Sequence, residues 1–159
     1  MKRSKIPNPH DRYFREQFSQ IEIARSFFKE YLPSELAQAI EWKTFRLAPG
    51  DFVEKALHNR KTDILYQTRI DGREGYCYLH FEHQRSVDPQ MAFRLLIYMV
   101  NIWEQHLKQH PQDKTIPLIV PMVLYQGERN WNAPQNLHDL LEVPGYLKPY
   151  LPGFTYLLM

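Results

Sequence analysis

Polar residues interrupt a stretch that otherwise reads as a core strand. Tyr78-Leu79-His80-Phe81-Glu82-His83-Gln84 carries Glu82 inside an aromatic and aliphatic run, and Asp63 heads the preceding apolar run. A carboxylate is seldom fully buried unless something pairs with its charge. Side chains on a strand alternate faces, so His80, Glu82 and Gln84 share one side and His83 takes the other. A hairpin turn centred on Arg73 sets Asp63 opposite His83, one position from Glu82. A one-residue bulge or register change then brings Asp63 and Glu82 onto one face. Two carboxylates that close repel, and one keeps its proton unless a cation lies between them.

A hard divalent cation resolves that repulsion. Mg²⁺ takes oxygen ligands, keeps several waters and often needs only one or two carboxylates, and the peptide carbonyl of His83 can add a third oxygen. Gln84, on the face of Glu82, can orient a water or a phosphate oxygen. A metal held this way lowers the pKa of water and stabilises charge on a phosphate, which is the chemistry of phosphodiester hydrolysis. Plainer pairings account for the same residues: Asp63 capping its strand or meeting Arg60 or Lys61, and Glu82 meeting His80 or an arginine. The opposite faces of His80 and His83 speak against a zinc cluster.

The elements that must position these residues follow from the pattern. Pro9 and Asp11 suit the start of a helix capped by Asn8, and Ser19-Gln20-Ile21-Glu22 has the form of a capping box that restarts it until Pro33. The segment 41–47 alternates and precedes Pro49-Gly50, which predicts a first strand and a turn; residues 52–61 are ambiguous. Segments 63–70 and 76–84 are predicted strands around the turn Asp71-Gly72-Arg73-Glu74-Gly75. Asp88-Pro89 opens a long helix to about residue 109, and the continuous apolar run 115–125 predicts a buried strand in which Pro121 needs an edge or a bulge. A helical crossover between the third and fourth strands favours a parallel connection. The expected fold is therefore α/β, a mixed central sheet flanked by helices.

Residues elsewhere have candidate roles in the same chemistry. Gln90 and Arg94 lie four apart on the long helix, and Arg94 is placed either to meet a phosphate near the metal or to pair with Glu82 or Asp88. Arg60 and Lys61, just before Asp63, can draw in a phosphate backbone. His10, Asp11 and Glu16 on the first helix read as cap and solvated-face residues.

A chain of 159 residues with 43% apolar and 24% charged residues suits one ordered domain rather than a disordered segment. A net charge of +2 permits nucleic-acid binding without arguing for it. The single cysteine, Cys77, excludes an intrachain disulfide and fits a reducing compartment. No apolar run approaches the roughly 20 residues of a membrane span, and the opening residues lack the apolar segment of a signal peptide, so a soluble cytoplasmic protein is expected. The strand-like final stretch GFTYLLM has no polar finish, and residues 1–159 are expected to be the amino-terminal domain of a longer protein.

Four ordered stretches, PHDRYFREQFS, KTDILYQTRI, YLHFEHQRSVDPQMAFRLLIYM and PLIVPMVLYQGERNW, resemble the Rpn family of recombination-promoting nucleases, a group also described as transposases. The arrangement Asp63…Glu82-x-Gln84 on an αβββαβ order resembles the wider PD-(D/E)XK nuclease superfamily. The resemblance covers nearly the whole chain. It implies a DNA endonuclease linked to recombination or transposition that depends on Mg²⁺ (Mn²⁺ or Ca²⁺ as alternatives), with Asp63 and Glu82 as metal ligands. Gln84 stands where the superfamily usually has a lysine. A neutral amide cannot supply that charge, which leaves room for a catalytically weak or inactive DNA-binding module. Cutting both strands of a duplex would favour a homodimer.

Overall fold

One tight turn sets the geometry of the site. Asp71 and Gly72 take positive φ values of 48° and 74°, as a two-residue type I′ hairpin turn demands, and glycine accepts this without strain. The computed structural model describes residues 9–58, 63–83 and 87–159. In chain order the elements are α1 (Pro9–Phe18), α2 (Ile21–Tyr31), α3 (Ser34–Ala39), β1 (Arg46–Leu47), α4 (Gly50–Leu57), β2 (Asp63–Ile70), β3 (Arg73–Glu82), α5 (Met91–Gln109), β4 (Leu118–Tyr125), α6 (Leu137–Leu141), a 3₁₀ turn (Gly145–Tyr150) and β5 (Leu157–Leu158). The sheet order is β1-β2-β3-β4-β5. The β1–β2 and β2–β3 pairs are antiparallel; β3–β4 and β4–β5 are parallel. This is the expected mixed α/β sheet, with α5 as the crossover between β3 and β4.

The hairpin register corrects the sequence-based count. The turn occupies only Asp71 and Gly72, so Ile70 faces Arg73 and Asp63 faces His80 rather than His83. Directly opposed residues share a face, and residues two apart on one strand share it too. Asp63, His80 and Glu82 therefore lie on the same side of the sheet with no bulge.

The start of the sheet also departs from the expected order. Residues 42–44 form a turn, in which the Thr44 hydroxyl donates to the Glu41 carbonyl at 2.7 Å, and only Arg46 and Leu47 pair as strand. Pro49 is not part of a strand-to-strand turn but the cap position before α4, where its fixed φ and missing N–H are tolerated. A helix thus interrupts the predicted run of three strands. It claims most of the ambiguous segment and ends on His58 in the left-handed conformation. The break between α1 and α2 falls where predicted, but Gln20 is the cap residue and makes no side-chain cap bond. Pro121 lies on the sparsely covered side of β4, where β5 pairs only with Met122 and Val123.

Two apolar layers hold the sheet. Leu65, Tyr76, Tyr78 and Val123 pack with Phe52 and Leu57 of α4 and with Leu95 and Ile102 of α5. Ile64, Tyr66, Leu79, Phe81 and Met122 pack on the other face with Phe14, Ala24 and Phe28 of the first two helices. Each such buried large side chain contributes about 1.5–3 kcal/mol relative to exposure. Because β3 is central and covered on both sides, everything from Gly75 to Glu82 is buried, acids included. Among the described residues no helix is long and apolar enough to cross a membrane.

Candidate active site: a bridged carboxylate pair

Asp63 is the first residue of β2 and Glu82 the last of β3, so both stand at one end of the sheet, on the face covered by α4 and α5. They are 1% and 2% exposed, and His80 between them is 2% exposed. The His80 ring joins the two acids. Its Nδ1 lies 2.6 Å from Asp63 Oδ1 and its Nε2 2.9 Å from Glu82 Oε2. Carboxylates only accept, so the arrangement is fully satisfied when both ring nitrogens carry protons. Burial pulls the His80 pKa down, but the hydrogen bonds to Asp63 and Glu82 outweigh it and leave it above the ordinary histidine value.

Each acid has a second donor. The Tyr78 hydroxyl donates to Asp63 Oδ2 at 2.5 Å. Burial, reinforced by the Asp63 charge, keeps that phenol protonated well above its usual range. Arg94, in the first turn of α5, places Nη1 3.6 Å from Glu82 Oε2 and 3.3 Å from Asp88 Oδ2. Asp88 in turn accepts the Gln90 N–H at 2.9 Å, which ties the start of α5 to the same cluster. The result is a continuous polar chain, Tyr78–Asp63–His80–Glu82–Arg94–Asp88, buried from Tyr78 to Glu82 and partly open to solvent at Arg94 and Asp88. In so enclosed a place an unpaired charge is expensive, and the alternation of signs removes that cost.

The sequence-derived candidates divide as follows. The structure brings Asp63, Glu82 and Arg94 together, and gives Arg94 the ion-pair partners Glu82 and Asp88. His83 follows Glu82 directly, but its side chain turns to the other face, with Nδ1 2.8 Å from the Gln126 carbonyl oxygen and its ring 4.5 Å from that of His10. Glu16 pairs with Arg12 at 2.8 Å on the exposed side of α1. Gln84, Arg60 and Lys61 lie outside the described residues. Sequence reasoning allowed a His80–Glu82 contact but missed the contact to Asp63, and it missed Tyr78 altogether. The His80-x-Glu82 spacing held the first signal; the second needed the true turn length.

Among the described residues no group of three or more His, Cys, Asp or Glu side chains is arranged to hold a metal ion. The two acids on either side of His80 are carboxylates, hard oxygen donors of the kind that suit Mg²⁺, Mn²⁺ or Ca²⁺ rather than a soft metal. By donor chemistry the pair fits such a cation.

Residues 8–159 match the family model described as "Putative transposase, YhgA-like". The chain belongs to this family. Curated relatives of this YhgA-like chain include the recombination-promoting nuclease RpnC of Escherichia coli K12, 38% identical over 120 residues, which are 76% of this chain and 39% of that protein. The recombination-promoting nuclease RpnD of E. coli O157:H7 is 32% identical over 122 residues, 77% of this chain and 46% of that protein. The protein named inactive recombination-promoting nuclease-like protein RpnE, of E. coli K12, is 36% identical over 131 residues, 80% of this chain and 42% of its own length. The chain thus spans less than half the length of these relatives. No solved structure matches it.

Proposed function

We propose that this YhgA-like chain is the nuclease domain of a metal-dependent DNA endonuclease of PD-(D/E)XK type that acts in recombination. The observation that carries the reading is the placement of Asp63 and Glu82 on adjacent strands, on one face and at one end of the sheet. Relatives named recombination-promoting nucleases support it. Asp63 and Glu82 would hold Mg²⁺, with Mn²⁺ or Ca²⁺ as alternatives, and the His83 carbonyl would add a third oxygen. When bound, the cation would supply an activated water and stabilise charge on the scissile phosphate. Tyr78 fixes the rotamer of Asp63, and Arg94 sets a positive charge beside Glu82, where the superfamily's lysine would otherwise provide one. Gln84 would orient the water or the phosphate.

DNA would meet basic groups around this end and beyond it. Arg60 and Lys61 precede Asp63. At the far end of α5, roughly 16–23 Å from Arg94 along the helix, Lys55, His58 and Lys108 line a recess of about 590 Å³ with Gln105 and Gln109. A phosphate backbone is the natural partner for such a recess. Cleavage of both strands would call for two copies of the site, hence a homodimer, and a buried free thiol suits a cytoplasmic setting.

A second reading has its own support. The acids are already neutralised by His80 and Arg94, Gln84 lacks the lysine charge, and RpnE is named inactive. On that reading the chain is a DNA-binding module without turnover. Incubation of supercoiled plasmid with the purified chain separates the two. Cleavage in Mg²⁺ or Mn²⁺ that stops in EDTA supports the nuclease. Salt-dependent DNA binding without cleavage in any of several metals supports the module.

A further inference from the structure

The proposed chemistry gives no task to the residue that joins its two acids. His80 is buried, lies opposite Asp63 in the ladder, and spends each ring nitrogen on a different carboxylate, at 2.6 and 2.9 Å. The nitrogens sit on opposite edges of the imidazole, so the ring itself separates Asp63 Oδ1 from Glu82 Oε2. A cation held by both acids at Mg–O distances of about 2.1 Å needs its two ligand oxygens within roughly 4 Å of each other. Two hydrogen bonds and the ring between them span more than that.

We propose that His80 takes the place between Asp63 and Glu82 that a shared divalent cation would need, and must release at least one acid before both can ligate metal. The proposal rests on the reading of these acids as metal ligands. The rest of the cluster permits the exchange. Tyr78 still holds Asp63 through Oδ2, and Arg94 still faces Glu82, so neither carboxylate is left bare when the imidazole leaves. His80 is then a positioning residue. It keeps two buried acids on one face without metal, and it competes with the metal that would replace it.

The test is Mn²⁺ titration by calorimetry, at one fixed pH, of the wild-type chain, His80→Gln, His80→Leu and Asp63→Ala. The His80 variants are expected to bind Mn²⁺ at least about tenfold more tightly than wild type, the scale of one charge-assisted hydrogen bond no longer broken on binding. Asp63→Ala is expected to lose the site. Should the variants not fold, Mg²⁺ titration of the wild type followed by NMR of the His80 ring decides instead. The ring resonances are expected to shift in step with occupancy. Equal or weaker binding by folded His80 variants, or His80 resonances unmoved at saturating Mg²⁺, overturns the proposal while leaving Asp63-dependent metal binding intact. If wild type and His80 variants alike bind no Mn²⁺, the metal reading fails and this proposal fails with it.

Discussion

Asp63 and His80 face one another directly across the β2–β3 ladder, with 2.6 Å between carboxylate oxygen and ring nitrogen. That pairing exists because the turn uses two residues. A turn one residue longer or shorter shifts the register, and a one-residue shift sends Asp63 to the opposite face. Gly72, at φ 74°, is therefore a determinant of the site although it lies at the far end of the hairpin. Gly72→Ala has open space for its methyl group, so only backbone strain is at issue, and it should destabilise the chain by about 1 kcal/mol or more. Denaturant unfolding of the two proteins measures it; equal midpoints would show that the turn tolerates a side chain.

The Tyr78 hydroxyl has one structural task, the bond to Asp63 Oδ2. Tyr78→Phe keeps the ring's packing and removes only that donor. It should lower stability by about 1–3 kcal/mol, because it removes a charge-assisted hydrogen bond to a buried carboxylate. It should also weaken divalent-metal binding by loosening the Asp63 rotamer. Melting curves with and without Mn²⁺ check both effects, and an unchanged metal-free melting temperature would contradict the assignment.

Much of this arrangement was legible in the residues. Glu82 inside an aromatic run and Asp63 at the head of another marked the acids, and alternation put Glu82 and His80 on one face. The mixed sheet and its helical crossover followed from strand and helix patterning between residues 63 and 125. The true register was not legible, because Asp71-Gly72-Arg73-Glu74-Gly75 offers more than one tight turn and only the folded hairpin chooses. Helix α4 was hidden by Pro49-Gly50, a pair that suits a turn as well as a helix start. Tyr78 escaped because an apolar strand with a tyrosine in it looks like core, and its hydroxyl matters only once Asp63 is known to lie beside it.

The core should resist high pH poorly. Burial pushes the Cys77 thiol from its ordinary 9.0 up to about 12, and burial pushes Tyr76 from 10.0 up to about 12. Both groups hold their protons more tightly folded than unfolded. Stability is therefore complete below the unfolded values and falls as pH rises through the interval toward 12, by on the order of 1 kcal/mol per pH unit for each group involved. Urea unfolding between pH 8 and 11 should show a falling midpoint, and native Cys77 should resist iodoacetamide at pH 8. Rapid alkylation of the folded chain would contradict this burial.

The recess at the end of α5 yields a separate expectation for DNA. Replacing Lys55 and Lys108 with Gln should weaken binding to all duplex sequences alike and reduce the salt dependence of the affinity by about one to two counterions. Fluorescence anisotropy at several salt concentrations reads both. An unchanged slope would remove the recess from the DNA-binding surface.

The central claim is that Asp63 and Glu82 together make a metal-dependent nuclease site, and its most direct test is the plasmid cleavage rate in Mg²⁺ of wild type against Asp63→Ala. The account predicts cleavage by the wild type and a loss of at least roughly 100-fold in the variant, the scale expected when a group that organises transition-state charge is removed. A folded Asp63→Ala chain that cleaves at the wild-type rate would contradict it.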